Sequence, residues 1–255
     1  MTMQEGSPEA QERLEHLPKA WIVKKQEVAE DLFLMWLKPD QPFRFKPGQY
    51  ITIGKAGIER PYSIASAPFE HRIELFIEYV LPEYGGKLTP VLWNLHVGDY
   101  VSYRPKAKGI FTFNPKYHHH VMVGTVTGVA PFISMVRQAQ KENVRGHHFY
   151  VLEGASHQDE FVYDSEFERL AERRPELVTF VATVSRPQAE RNHGWAGPTG
   201  RVNTILDEYL DKWSLPKEDT LIYLCGNPGM IEDIRTRLGG TGWNVLDERF
   251  WKEEA

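Results

Sequence analysis

At 255 residues, with 41% hydrophobic and 12% aromatic side chains, the chain has material for one large core or two modest ones, and wholesale disorder is excluded. Its one cysteine, Cys225, excludes an internal disulfide and any zinc or iron–sulfur site built from several thiolates. The net charge of −5 lacks the basic excess of a nucleic-acid binder and no apolar run is long enough to cross a bilayer, so a soluble cytoplasmic protein is expected, with no nucleic-acid or membrane partner.

The opening "MTMQEGSPEAQERLEHLPKA" is acidic and polar, unlike a signal peptide. Residues 1–17 hold one basic and four acidic side chains and are expected to form a polar extension. Residues 18–114 carry 13 basic against 10 acidic residues and contain "AWIVKKQEV", "LFLMWLK", "QYITIG", "RPYSIAS", "RIELFIEYV" and "DYVSYR". Turn signals such as "FKPG", "PEYGGK" and "HVGD" separate these β-rich segments, a rhythm that predicts an antiparallel barrel or sandwich. Residues 115–255 carry 16 basic against 21 acidic residues and change character. There the strand patterns "HHVMVG", "HHFYVLEGAS", "LVTFVATVS" and "TLIYLCGN" alternate with helical patterns, which predicts a parallel sheet covered by helices. Two domains are expected to meet near "FTFNPKYHH".

The segment "RPYSIAS" (60–66) is unusual for a strand that only packs a core. Arg60, Tyr62 and Ile64 fall on one face, with Pro61, Ser63 and Ala65 on the other. Arg60 suits a two-pronged grip on phosphate, Tyr62 a ring laid on a flat heterocycle, and Ser63 a hydroxyl for a ring nitrogen. That set suits a flavin nucleotide, provided a bend brings Ser63 to the ligand that Tyr62 touches. An edge strand with a solvated Arg and a half-buried Tyr reads the same.

"RPYS" closely resembles the R-x-Y-S flavin motif of the ferredoxin–NADP reductase superfamily. Companion segments resemble that family's other motifs in the right order: "FKPGQY" (45–50), "GGKLTP" (85–90), "GTVTGVAPFIS" (124–134), "CGNPGMI" (225–231) and "ERFW" (248–251). The likeness is to the bacterial ferredoxin/flavodoxin–NADP reductases and spans residues 18–251. It implies an N-terminal FAD-binding antiparallel β-barrel over 18–114. A Rossmann-like α/β NADP(H)-binding domain with a parallel sheet would follow over 115–255, ending in an aromatic tail that covers the flavin.

In "YGGKLTP", glycines including Gly86 would let the backbone approach a ligand. The N–H groups of Lys87, Leu88 and Thr89 would then cradle the flavin pyrophosphate, with the Thr89 hydroxyl adding a bond. A plain glycine turn before a short helix reads alike. The resemblance places Ile77 and Tyr79 beside the ribityl and adenine parts of the flavin. Thr125, Thr127 and Gly128 would line the nucleotide pyrophosphate at a helix N-terminus. Val126 stands where the family has Gly. A β-branched residue at positive φ is strained, so either a negative φ or an altered loop is expected there.

By resemblance, Ser185 and Arg186 after the third strand of the second domain, and Arg201 opening the next helix, grip the 2′-phosphate that distinguishes NADP from NAD. "EGASHQDE" lacks an Arg that many bacterial members carry at that point; Ser156 and His157 stand there instead, with Arg191 as a substitute charge. Cys225 has no adjacent His and is not read as a nucleophile. The resemblance puts it beside nicotinamide C4, and a buried strand-end thiol reads equally well. Glu248 is expected near the flavin as a proton supplier. Phe250 and Trp251 would stack on the flavin and its adenine, which implies FAD instead of FMN. His118 and His120 of "HHH" share a strand face without a carboxylate, so no metal site is expected, only a domain-junction surface.

The activity implied is that of an enzyme, a ferredoxin/flavodoxin–NADP oxidoreductase. Hydride would pass between NADP(H) and FAD N5, and single electrons to or from ferredoxin or flavodoxin, with Ser63, Cys225 and Glu248 lining the reaction. The alternatives are a reductase component of an oxygenase chain and a non-catalytic flavin- or nucleotide-binding subunit.

Overall fold

The computed structural model describes residues 4–249. The chain forms two units, Met1–Thr112 and Phe113–Ala255.

The first unit opens with a short helix, α1 (Pro8–Glu15). The Ser7 hydroxyl caps it by accepting the Ala10 N–H at 3.2 Å, with a proline in its first turn. The expected polar extension is therefore partly an amphipathic helix that buries Ala10 and Leu14. Leu14 lies so close to Gly54 that a Cβ there would come within 3.0 Å of its methyls. Six strands follow: β1 (Lys19–Ala29), β2 (Leu32–Pro39), β3 (Tyr50–Lys55), β4 (Ile58–Ser63), β5 (Ile73–Glu78) and β6 (Tyr100–Tyr103). A five-residue helix, α2 (Thr89–Trp93), lies between β5 and β6. The strands pair antiparallel in the order β4-β3-β6-β1-β2-β5. An antiparallel bridge between Ile64 and Leu75 joins the two edge strands, so no long edge is left open. Ile22, Met35, Leu37, Ile51, Ile53, Leu75 and Val101 fill the interior, and Leu88 and Leu92 pack α2 into the same core.

The second unit alternates strand and helix. Its strands are β7 (His119–Thr125), β8 (His148–Ala155), β9 (Val178–Val184), β10 (Thr220–Cys225) and β11 (Asn244–Glu248). Its helices are α3 (Ala130–Lys141), α4 (Asp164–Arg173), α5 (Val202–Trp213) and α6 (Pro228–Leu238). All strand pairs are parallel, in the order β11-β10-β7-β8-β9. The chain starts in the middle, winds outward through β8 and β9, then returns to the other side of β7 through β10. The order thus reverses between β7 and β10, and in such sheets ligands bind beyond the carboxyl ends of the strands at that reversal. α5 and α6 cover one face with Leu206, Leu210, Met230, Ile231 and Ile234.

Glu153, in the middle strand β8, breaks the apolar pattern. It is fully buried, and neither carboxyl oxygen has a hydrogen-bond partner among the described residues. Burial, helped by the Asp164 carboxylate, pushes its pKa well above the ordinary value, so the side chain is held as a neutral acid. The folded state therefore grips this proton more tightly than the unfolded chain does. Nothing is lost below the unfolded value of 4.5, and stability falls as pH rises from there toward the folded value. Glu153→Gln removes that titration. Its stability advantage over the parent should grow by about 1.4 kcal/mol per pH unit across that window. Thermal melts at pH 5 and pH 8 measure the difference; an advantage equal at both would contradict the assignment.

Candidate functional site

In the first unit the predicted phosphate residues converge on one anion. The Arg60 guanidinium takes the Glu5 carboxylate in two hydrogen bonds, of 2.6 and 3.1 Å, and Lys87 Nζ approaches the same carboxylate at 3.1 Å. Hydrogen bonding from Arg60, reinforced by Lys87, holds the Glu5 carboxyl down at about 2. Arg60 on β4 and Lys87 on the loop before α2 thus share a single anionic position. Tyr62, opposite Ile51 in β3, packs its half-buried ring on the core, and burial keeps its phenol protonated. β4 ends at Ser63, and Ile64 leaves β3 to bridge Leu75, which supplies the bend that the sequence required. The Ser63 hydroxyl is buried and has no hydrogen-bond partner among the described residues. An orphaned hydroxyl of this kind is costly unless a ligand satisfies it.

Several expectations for this unit are corrected. The Ile77 side chain is in the barrel core with Phe33 and Leu75, so only its backbone is left for a ligand; Tyr79 is half-buried and packs edge-on against Trp93 at 5.2 Å. The Thr89 hydroxyl is taken up by Val80, accepting its N–H at 3.0 Å and donating to its carbonyl at 3.3 Å. Gly86 must be glycine for the turn itself, because a Cβ would sit 1.8 Å from the Val80 carbonyl oxygen. Leu88 is buried in the core, which leaves its N–H as its only polar group facing the turn before α2. Lys25, which sequence reasoning missed, crosses from β1 to donate to the carbonyls of Trp93 and, at 3.0 Å, Leu95. It thereby fixes the carboxyl end of the helix whose other end carries Lys87–Thr89. A lysine in mid-strand gave no sign of that role.

In the second unit the loops after β7 and β10 meet at the reversal of strand order. The Thr125 hydroxyl accepts the Asn227 N–H at 2.7 Å, and the Asn227 side chain caps α6 by accepting the Met230 N–H at 3.1 Å. Gly128 lies so near β10 that a Cβ would be 2.3 Å from the Cys225 carbonyl oxygen. Val126 has φ +47°, so it does adopt the strained left-handed conformation and does not take a negative φ. Its side chain packs with Ala155, Phe161, Val184 and Trp195, and this burial offsets the strain. Thr127 completes the turn that leads into α3, whose first residues have no side-chain cap and carry a proline.

Cys225 is buried opposite Gly124 and Glu248 in adjacent strands. Burial first, then the Glu248 charge, raises its pKa and keeps it a thiol, as its reading as a non-nucleophile requires. Ser185 and Arg186 follow β9, and Thr199 bridges back to Val184, which brings Arg201 at the start of α5 to the same strand end. Both arginines are exposed. Asn192, another missed residue, is buried and donates to the carbonyls of Ser156 at 2.9 Å and Arg186 at 2.7 Å, which ties the two loops together. Arg191 is not a substitute charge. It is held in a two-pronged ion pair with Asp159 at 3.0 and 2.8 Å. His157, Asp159 and Glu160 form a cluster of metal-ligand type, but Arg191 already supplies its cation. His120 is a correction too: it is wholly buried against Phe149, and burial lowers its pKa to about 3, whereas His118 is exposed and paired with Asp219 at 2.8 Å. Phe250 and Trp251 lie outside the described residues.

The contact at Gly128 gives a direct test. Gly128→Ala should cost about 1–3 kcal/mol of stability by overpacking, because the opposing atoms are backbone and cannot swing away. The same change at Gly85, where a Cβ meets nothing within 4 Å, incurs only the strain of its positive φ. Urea unfolding of both variants compares the two costs.

Residues 122–236 match the family model described as the oxidoreductase NAD-binding domain. The chain is 29% identical over 188 residues to the flavodoxin/ferredoxin–NADP reductase of Buchnera aphidicola subsp. Schizaphis graminum, covering 71% of this chain and 70% of that protein. It is 28% identical to the ferredoxin–NAD(P)(+) reductase component of the naphthalene 1,2-dioxygenase system of Pseudomonas putida, covering 90% and 67%. Among solved structures, a ferredoxin NADP+ reductase from Neisseria gonorrhoeae with bound FAD and NADP superposes with a TM-score of 0.75 at 21% identity, over 91% of this chain and 98% of that one. With its antiparallel barrel and its parallel sheet, the chain has the two-part fold of the ferredoxin NADP+ reductase structure, and its second unit matches the oxidoreductase NAD-binding domain.

Proposed function

We propose that the chain is an FAD-dependent NADP(H) oxidoreductase that exchanges electrons with a ferredoxin or flavodoxin. The observation that carries this reading is Ser63, a buried hydroxyl with no protein partner among the described residues, on the strand that also bears Tyr62 and Arg60. The names of the Buchnera and Neisseria proteins support the choice of cofactors and carrier.

Bound FAD would supply a two-electron centre that accepts hydride at N5 and returns electrons singly. Ser63 donates a hydrogen bond to the ring edge, Tyr62 offers its ring face, and Arg60 with the N–H groups of Lys87, Leu88 and Thr89 holds the phosphates. In the second unit the Thr125–Gly128 turn and the uncapped start of α3 take the pyrophosphate of NADP(H). Ser185, Arg186 and Arg201 take its 2′-phosphate. Cys225, kept neutral, gives the nicotinamide a small uncharged neighbour, and Glu248 at the end of β11 is the nearby carboxyl group that assists proton supply. Phe250 and Trp251 supply the aromatic cover. The protein's contribution is orientation, since holding two rings in register removes a large entropic barrier.

The second reading, a reductase feeding an oxygenase system, draws on the similarity to the Pseudomonas putida protein. It shares the hydride step and differs in the carrier. No helix among the described residues is long and apolar enough to cross a membrane.

Anaerobic mixing of the flavin-loaded protein with NADPH should bleach the flavin absorbance, and an unchanged spectrum would leave only a binding subunit. Replacing Arg186 and Arg201 together with Ala should weaken NADPH use sharply while sparing NADH; equal losses would refute the 2′-phosphate assignment. Ser63→Ala separates structure from chemistry. It should leave the flavin-free melting temperature unchanged or raised, because an unsatisfied hydroxyl is removed. It should slow flavin reduction by about a hundredfold. A drop in stability without a drop in rate would refute the role.

A further inference from the structure

The amino-terminal segment reaches the position assigned above to the flavin's phosphates. We propose that Glu5 is a built-in competitor for those phosphates, its carboxylate holding Arg60 and Lys87 so that flavin loading requires residues 4–6 to let go. The proposal rests on the reading of Arg60 and Lys87 as phosphate ligands.

The geometry is that of an anion in a made-to-measure grip. Arg60 presents two nitrogens to the two Glu5 oxygens, and Lys87 meets one of them from the other side. A carboxylate and a phosphate offer the same paired oxygens to a guanidinium, so the two are interchangeable at this fork but cannot occupy it together. No other carboxylate is ready to replace Glu5. Glu59, the neighbour of Arg60 in β4, is already committed to Arg13 at 2.8 Å and to Arg104 at 2.7 and 2.6 Å.

The tether explains both why Glu5 is present and why it can leave. α1 is anchored by Ala10, Leu14 and the Arg13–Glu59 pair, so Glu5 never diffuses far from Arg60 and its effective concentration is high. Between Glu5 and the Ser7 cap lies only Gly6, at φ +78°, with its N–H donating to the Gly57 carbonyl at 3.2 Å. Releasing residues 4–6 breaks that bond and the one from the Ser7 N–H to the Gln4 carbonyl, also 3.2 Å, and turns about a glycine, while α1 stays docked. The three side chains are 36–57% exposed, so their pairing is weak enough to yield to a ligand. Glu5 is thus a brake on affinity and not a block.

The test uses protein stripped of flavin and titrated with FAD, FMN and riboflavin, read by quenching of flavin fluorescence. Glu5→Gln should tighten FAD and FMN by about threefold to tenfold, the scale of two exposed ion pairs, and leave riboflavin, which has no phosphate, unchanged. Glu5→Ala should do the same. The flavin-free melting temperature of both should hold or fall slightly, so tighter binding cannot be a by-product of a more stable fold. Unchanged or weakened FAD affinity would overturn the proposal, and weakening would make Glu5 a partner that orients Arg60 for the phosphate. Arg60→Ala distinguishes this failure from failure of the underlying reading. It should weaken FAD and FMN but not riboflavin. If it does neither, or if the parent binds no flavin, the phosphate assignment falls and the proposal with it.

Discussion

The second unit depends on one close approach, that of the turn after β7 to the end of β10. There is no room for a side chain on either side. A Cβ at Gly128 would strike the Cys225 carbonyl, and one at Gly226 would lie 2.2 Å from the Thr125 hydroxyl oxygen. The hydroxyl itself ties the two loops through the Asn227 N–H. This interlock sits where the strand order reverses, so the tightest backbone contact and the expected ligand crevice coincide. Left-handed strain at Val126 follows from the same constraint. The turn must bend sharply to bring Gly128 against β10, and packing of the partly buried Val126 side chain secures a conformation that the backbone alone disfavours.

Both units pair ionised groups at their surfaces, and the second also buries titratable groups in its sheet. The first gathers ionised groups at its surface and pairs them, with Glu59 between Arg13 and Arg104 and Glu5 between Arg60 and Lys87. The second pairs surface charges too, as at Arg137–Glu166 and Arg191–Asp159, and in its interior it holds several titratable groups neutral. Glu153 is held protonated by burial, Cys225 is held as a thiol, and His120 is held unprotonated. A surface of exchangeable ion pairs suits a site where phosphates must enter and leave.

Strand and helix order was legible because turn signals and apolar periodicity agree in this chain, and the barrel-then-sheet architecture followed from them. Residue-level readings are least secure where side-chain direction decides. β5 shows why. Five of its six residues are buried, so both faces look apolar and alternation cannot tell the core face of Ile77 from the other. Thr89 and Gly86 were credited to a ligand because their types suit one, yet both serve the turn around Val80, a partner several residues away that no local pattern reveals. Residues 1–17 read as a solvated tail because their charge dominates their composition. The two apolar residues at helical spacing that dock them, Ala10 and Leu14, were the overlooked signal.

On the proposed reading, nucleotide preference turns on how the loops after β8 and β9 are joined. Asn192 is buried beneath them and reaches the carbonyls of Ser156 and Arg186 and the N–H of Gln158, accepting the last at 2.7 Å. That bond set fixes the backbone at Arg186 without restraining its guanidinium, which stays exposed. Arg191, one residue away from Asn192, has the reverse arrangement: its guanidinium is spent on Asp159, close to Glu160. A 2′-phosphate approaching these loops would have to break a bidentate pair to recruit Arg191, whereas Arg186 and Arg201 are exposed at the strand end. On the proposed reading, discrimination between NADP and NAD rests first on these two arginines, with Arg191 held by the acidic turn at 158–160 in an exposed pair.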